Sequence, residues 1–215
     1  DYKAKEESFA ARNANGTGPF VLEAWQPDTK TTLKKNAAWW DKPRGNVDNI
    51  VFTPIKSAAT RSAALISGQV DLVVDPPVQD LERIKRDPNI TIIEGPENRT
   101  IFLGFDQHRD ELMGSNIKGK NPLKDKRVRQ ALYQAVDIAA IEKTVMRGLG
   151  KPTGTMIAPM VNGWTKELGA RSAKYDVNAA KKLLADAGYP EGFELTLDCP
   201  NDRYVNDEAI CQAVT

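Results

Sequence analysis

The polar and apolar positions change period along the chain. After Gly18-Pro19, the run Phe20-Val21-Leu22-Glu23-Ala24-Trp25 is strand-like, and Thr31-Thr32-Leu33-Lys34-Lys35 follows the turn residues Gln26-Pro27-Asp28. Two strand-like runs joined by turn formers predict a hairpin. Trp39-Trp40 with Pro43-Arg44-Gly45 predicts a loop with exposed aromatics or a small lid, and Ile50 to Ile55 a further strand. Alternation then begins. Ser57 is placed to cap a helix over 58–67 that Gly68 stops. Val70 to Val74 predicts a buried-type strand, 80–86 a helix ended by Pro88, and 90–94 and 100–105 two more strands. Strands alternating with helices predict an α/β fold.

Residues 106–124 are polar and carry Gly114, Gly119 and Pro122, the composition of a boundary between two lobes. Beyond them, Val128, Ala131, Leu132 and Ala135 recur at helical spacing within 126–136. Asp137 caps a second helix with Ile138, Ile141 and Val145 on one face, ended by Gly148. Asp176 caps a third over 177–187, stopped by Gly188 with Pro190 beyond. Residues 193–197 alternate as a strand, and Asn206 or Asp207 opens a helix still running at Thr215, which is expected of a partial chain.

A length of 215 residues suits one large domain or two small ones, and 40% hydrophobic with 27% charged residues is enough for a core. The net charge of +1 argues against a nucleic-acid or polybasic membrane surface, and no apolar run approaches the roughly 20 residues of a membrane span. The chemistry of an enzyme is hard to find. There is no P-loop, Gly148-Leu149-Gly150 has the wrong spacing for a dinucleotide fingerprint, and no Gly-x-Ser-x-Gly elbow exists. The single histidine, His108, reads as a solvated surface group rather than a ligand or metal contact, and leaves no His-pair metal site. The carboxylate pairs Asp110-Glu111 and Asp207-Glu208 are adjacent, so on a regular element they diverge. Neither a catalytic residue nor a cofactor is expected. Cys199 and Cys211 read as two packed thiols in a reducing compartment or a pair in an oxidising one.

Several local patterns resemble the peptide/nickel-type class (family 5) of ABC transporter solute-binding proteins, the oligopeptide and dipeptide binders. They are Gly16-Thr17-Gly18-Pro19-Phe20, Asn36 to Trp40, Ala63-Ala64-Leu65 with Ser67-Gly68-Gln69-Val70-Asp71, Leu103-Gly104-Phe105-Asp106, Val128-Arg129-Gln130-Ala131-Leu132 with Ala135-Val136-Asp137, and Tyr175-Asp176 through Ala187-Gly188-Tyr189. Each is weak alone; together, in the family's order, they are specific. The resemblance implies a periplasmic-binding-protein-like fold: two α/β lobes closing on a ligand like a Venus flytrap, here as a partial chain. It places residues 1–105 in the first lobe, ending in a hinge strand, 106–124 in the linker, and 125–215 in the truncated second lobe. Asp106 stands where the family usually has Asn, which bears on hinge hydrogen bonds or ligand charge preference.

The implied function is extracytoplasmic capture of a peptide or peptide-like solute for an ABC importer. The implied setting is periplasmic, or extracellular and membrane-associated. The implied partners are the ligand and a permease of the inner membrane, with no nucleic acid and no membrane span of the chain's own, the binder itself being a monomer. Other ligands on the same fold (nickel chelate, haem, glutathione, an oligosaccharide), a sensor role, or an enzyme on a similar scaffold are the rivals.

Ligands in α/β folds gather at the carboxyl ends of strands. Two such ends stand out: Asp75-Pro76-Pro77 after 70–74, and Cys199-Pro200-Asn201-Asp202-Arg203-Tyr204 after 193–197. The second resembles the family's Asn-Asp-Arg-Tyr signature. Arg203 is suited to forking a ligand carboxylate, Asp202 to taking an ammonium, and Tyr204 to packing on a side chain or peptide plane. The competing reading is a structural loop in which Asp202 and Arg203 pair or cap the next helix. Arg99 and Thr100, just before the hinge strand, are further candidates. Trp25, Trp39, Trp40 and Trp164 fit lobe packing better than a ligand face. An acidic residue gripping a peptide ammonium is expected, by the resemblance, beyond Thr215. In the family's compartment a Cys199–Cys211 disulfide would clamp the loop between them.

Overall fold

The computed structural model describes residues 9–201 and 203–215. They divide into two compact units, the first ending at Arg61 and the second running from Ser62 to Thr215.

The first unit contains the short helix α1 (Phe9–Arg12) and an antiparallel sheet in the order β1 (Phe20–Gln26), β2 (Lys30–Lys35), β3 (Asn49–Phe52). The expected hairpin forms, Phe20 opposite Lys35 and Gln26 opposite Lys30, with a register shift between Leu22 and Ala24. Its turn puts Asp28 at φ 55°, a left-handed conformation that a short polar side chain tolerates, and the Thr29 N–H donates to the Gln26 carbonyl at 3.1 Å. The Trp39 and Trp40 rings meet at 5.8 Å beyond β2, and the Trp40 indole N–H donates to the Thr17 carbonyl at 3.1 Å.

Helix α2 (Ala58–Ile66) follows, stopped by Gly68 at φ 73° as its sequence predicts. The second unit then carries α3 (Leu81–Ile84), α4 (Lys126–Ala135), α5 (Ile138–Thr144), α6 (Lys166–Gly169), α7 (Val177–Asp186) and α8 (Asp207–Val214). Aspartates start three of these helices. Asp125 accepts the Arg127 N–H at 2.8 Å, Asp137 the Ala140 N–H at 2.9 Å and Asp176 the Ala179 N–H at 2.9 Å. Each satisfies a donor that the first turn leaves unpaired. Gly188, at φ 91°, ends α7, and the next N–H, of Tyr189, returns to the Leu184 carbonyl at 2.8 Å.

That reversal drops Tyr189 into the core. Leu112, Leu123, Val128 and Tyr189 form its buried centre, with Phe105, Ile117, Leu132, Leu184 and Phe193 packed around them. Helices α4 and α7 lie against each other here. The polar stretch 106–124 therefore supplies core residues, and its buried Asn121 ties the stretch together. The Asn121 amide donates to the Asp106 and Arg109 carbonyls at 2.8 and 3.0 Å and accepts the Leu123 N–H at 2.9 Å.

Four expected strands, at 70–74, 90–94, 100–105 and 193–197, have no ladder among the described residues, and all the regular strand lies in the first unit. Apolar β-type sequence marks a preference for a pleated, half-buried surface, whereas a strand needs a second backbone to bond. Without one, Leu72, Val74, Ile93, Phe102 and Leu195 remain exposed. The segment 193–197 is held differently. Glu194 N–H donates to the Asn116 side chain, and the Thr196 hydroxyl donates to the Gly114 carbonyl, both at 3.0 Å. Gly114 has to be glycine, because a Cβ there would stand 2.4 Å from the Thr196 hydroxyl.

Leu123 is one of the four buried side chains of this core, so Leu123→Ala is expected to destabilise the protein by about 2–4 kcal/mol. Calorimetric or denaturant unfolding of the variant checks this; a loss below about 0.5 kcal/mol would contradict the packing.

Candidate functional site

The described residues around 199–207 are held from both ends. Cys199 and Cys211 are joined by a disulfide, with Cα atoms 6.3 Å apart and a sequence separation of 12. Inside that ring the chain enters α8 through Asn206, which adopts the left-handed region at φ 56° and ψ 26°. Its amide has two distant partners. It accepts from the Gln79 side chain at 3.1 Å and donates to the Val145 carbonyl at 2.9 Å. The loop is thus fastened to the turn before α3 and to the end of α5.

Asp207, only 6% exposed, is the loop's internal anchor. Its Oδ2 accepts the N–H groups of Arg203 and Tyr204, both at 2.9 Å, and its Oδ1 accepts that of Glu208 at 2.9 Å. Burial pushes this carboxyl up. The backbone donors of Tyr204, Arg203 and Glu208 outweigh it and hold the group below the ordinary carboxylate value of 3.8. A depressed folded-state value means that the anchor is in place above the unfolded-state value and is lost as pH falls through the folded one.

Arg203 and Tyr204 stand out from this frame together with Arg99. The Arg99 guanidinium lies 5.4 Å from the centre of the Tyr204 ring and that of Arg203 5.7 Å from it, within cation–π range. Arg99 also pairs with Glu97 at 2.8 Å. The Arg203 guanidinium has no carboxylate partner among the described residues. Among the described residues the arrangement is two cations on one phenol with one nearby carboxylate, a surface suited to an anionic group. Neighbouring Thr100 donates its hydroxyl to the Met156 carbonyl at 3.1 Å.

The other residues singled out from sequence fall elsewhere. Asp202 lies outside the described residues, and Asn201 is exposed beside it. Asp75 is exposed at φ 52° and Pro76 half-buried, in a turn that follows an unpaired segment rather than a strand end. Asp106 is committed locally. Its carboxylate accepts from the Arg109 guanidinium and from the His108 N–H at 3.0 Å, and the Arg109 side chain and backbone lead in holding it below the ordinary value. Sequence reasoning missed Asp207, Asn206 and Gln79. The first two were legible only as helix openers, and nothing in the spacing of Gln79 marks a contact 127 residues away. No helix of the described residues is long and apolar enough to cross a membrane, and no group of three or more His, Cys, Asp or Glu among them is placed to hold a metal ion.

Comparison with known proteins gives a consistent picture. The family described as bacterial extracellular solute-binding proteins, family 5 Middle, matches residues 1–215. The chain is 34% identical over 190 residues to the haem-binding protein A of Haemophilus influenzae, covering 88% of this chain and 32% of that protein. It is 33% identical over 186 residues to the dipeptide-binding protein of Escherichia coli, covering 86% and 32% respectively. An ABC transporter-associated periplasmic binding protein from Helicobacter pylori, solved in complex with the peptide STSA, superposes with a TM-score of 0.65 at 27% identity, over 82% of this chain and 32% of that one. The chain spans about a third of the length of these relatives.

The disulfide closes a short ring, so the double variant Cys199→Ser/Cys211→Ser is expected to lose about 3 kcal/mol of stability. Thiol titration of the denatured, unreduced protein checks the bond itself; two free thiols would refute it.

Proposed function

This chain belongs to the bacterial extracellular solute-binding proteins of family 5, and we propose that the longer protein it represents captures a peptide or peptide-like solute for an ABC importer. The supporting observation is the Arg99–Tyr204–Arg203 cluster, where two guanidiniums flank one ring and the Arg203 side chain has no carboxylate partner among the described residues. A peptide presents a carboxylate, which a guanidinium forks with two parallel hydrogen bonds, and amide planes that pack on a phenol. Relatives named for dipeptide binding, and a structural neighbour holding a tetrapeptide, agree with that ligand class.

Capture of this kind needs no bond chemistry. Residues 1–105 and 125–215 contribute to two lobes, with the 106–124 stretch packed on the core of the second, and ligand stabilises the closed arrangement because only there does it touch both. The closed form is the one a permease recognises, with the binder acting as a monomer and without a cofactor. A periplasmic setting accords with the disulfide, which persists in oxidising compartments. Haem is the second reading, because the relative at 34% identity is a haem-binding protein.

Native mass spectrometry of the full-length protein purified from its host, followed by calorimetry with a peptide panel, distinguishes the two. Peptide masses and a loss of at least about tenfold in peptide affinity on Arg203→Ala are expected, the scale of a charge-assisted hydrogen bond. An affinity unmoved by Arg203→Ala would remove that residue from the site, and a co-purifying haem with no peptide binding would replace the ligand.

A further inference from the structure

We propose that Asp207 is the positioning residue of the recognition loop, setting the backbone at 203 and 204 while leaving the Arg203 guanidinium without a carboxylate partner among the described residues. The inference rests on the ligand reading above and adds to it a residue that does not itself touch the ligand.

Asp207 opens α8, and an acidic residue at a helix start would ordinarily be explained by the helix alone. Its bonding points elsewhere. Two of its three N–H donors, from Arg203 and Tyr204, precede it in the chain, and both converge on the same oxygen at 2.9 Å. Consecutive N–H groups aimed at one anion form a concave nest, and the conformation of the two residues is tied to the anion's presence. Here the anion is the protein's own, and the two residues are those whose side chains meet at the Tyr204 ring.

A buried carboxylate must be paired or bonded. The obvious partner is the arginine four residues away, and a buried Asp207–Arg203 ion pair would consume the group that is to meet a ligand. The backbone donors make that pairing unnecessary. Asp207 is 6% exposed and satisfied by amides, and no ion pair among the described residues engages Arg203. The left-handed turn at Asn206, with its amide bonded to Gln79 and Val145, brings the chain back so that the carboxylate can reach the two N–H groups. The disulfide closes the ring around them.

The test is a double-mutant cycle on the full-length protein, with Ala-Ala-Ala as the calorimetric probe and its C-terminal amide as control. Amide hydrogen exchange of the ligand-free protein is the second readout. Asp207→Asn is expected to weaken Ala-Ala-Ala at least about tenfold in the Arg203 background, and less than about twofold once Arg203→Ala is present. Protection of the 203 and 204 amides is expected to fall more than that of the α4 and α7 amides, with the protein still folded. Equal losses in both backgrounds, or unchanged protection, would overturn the positioning role, since a merely structural residue acts regardless of Arg203. If Asp207→Asn does not fold, Asp207→Glu, which keeps both oxygens on a longer arm, supplies the same readouts with a smaller loss. No binding of Ala-Ala-Ala by the unaltered protein overturns the ligand reading and this inference with it. Binding left unmoved by Asp207→Asn overturns this inference alone.

Discussion

A carboxylate removed from water has to be met by donors, and at Asp207 three backbone N–H groups do so. The shape of the candidate site follows from that requirement. Bonding backward to 203 and 204 curls the loop, the curl demands a left-handed residue at 206, and a short amide side chain both tolerates that conformation and reaches Gln79 and Val145. The disulfide adds a covalent limit on how far the ring can open. Backbone, side-chain and covalent constraints all act on the same few residues, which is how a loop comes to hold a side chain in one place.

The core beneath has a comparable economy. Gly188 turns the chain so that Tyr189 enters the space between α4, α7 and the 106–124 stretch, where Leu112, Leu123 and Val128 meet it. The Tyr189 and Phe193 rings lie 5.0 Å apart, and from Phe193 the chain runs along Gly114 and Asn116 to Cys199. The route from packed helix to candidate site is short.

Much of this was legible in the sequence, for identifiable reasons. Helix starts and stops are local chemistry, so Asp125, Asp137, Asp176, Gly68 and Gly188 could be read one at a time, and the hairpin likewise declares itself through its turn. Strands are not local. The segments at 70–74, 90–94, 100–105 and 193–197 carry apolar, β-type residues, yet no described backbone pairs with them, and sequence cannot say which neighbour a strand will have. The site divides in the same way. Arg203 and Tyr204 were visible as a motif and Arg99 as a candidate beside a hinge, but their meeting at one ring depends on folding across more than a hundred residues. Asp106, which looked like a departure of functional weight, is engaged in its own turn with Arg109 and His108. Asp207 reads from sequence as a helix opener, because an acidic residue at a helix start is so readily explained by the helix.

The central claim is that a guanidinium with no carboxylate partner among the described residues, on a loop held by an amide-bonded carboxylate, receives the anionic end of a ligand. A crystal structure of the full-length protein with a bound peptide tests it directly. The account predicts the peptide carboxylate within hydrogen-bonding distance of the Arg203 guanidinium, with Asp207 still accepting from the 203 and 204 N–H groups. A peptide seated away from Arg203, or an Asp207 carboxylate turned from the loop to pair with that arginine, would contradict it.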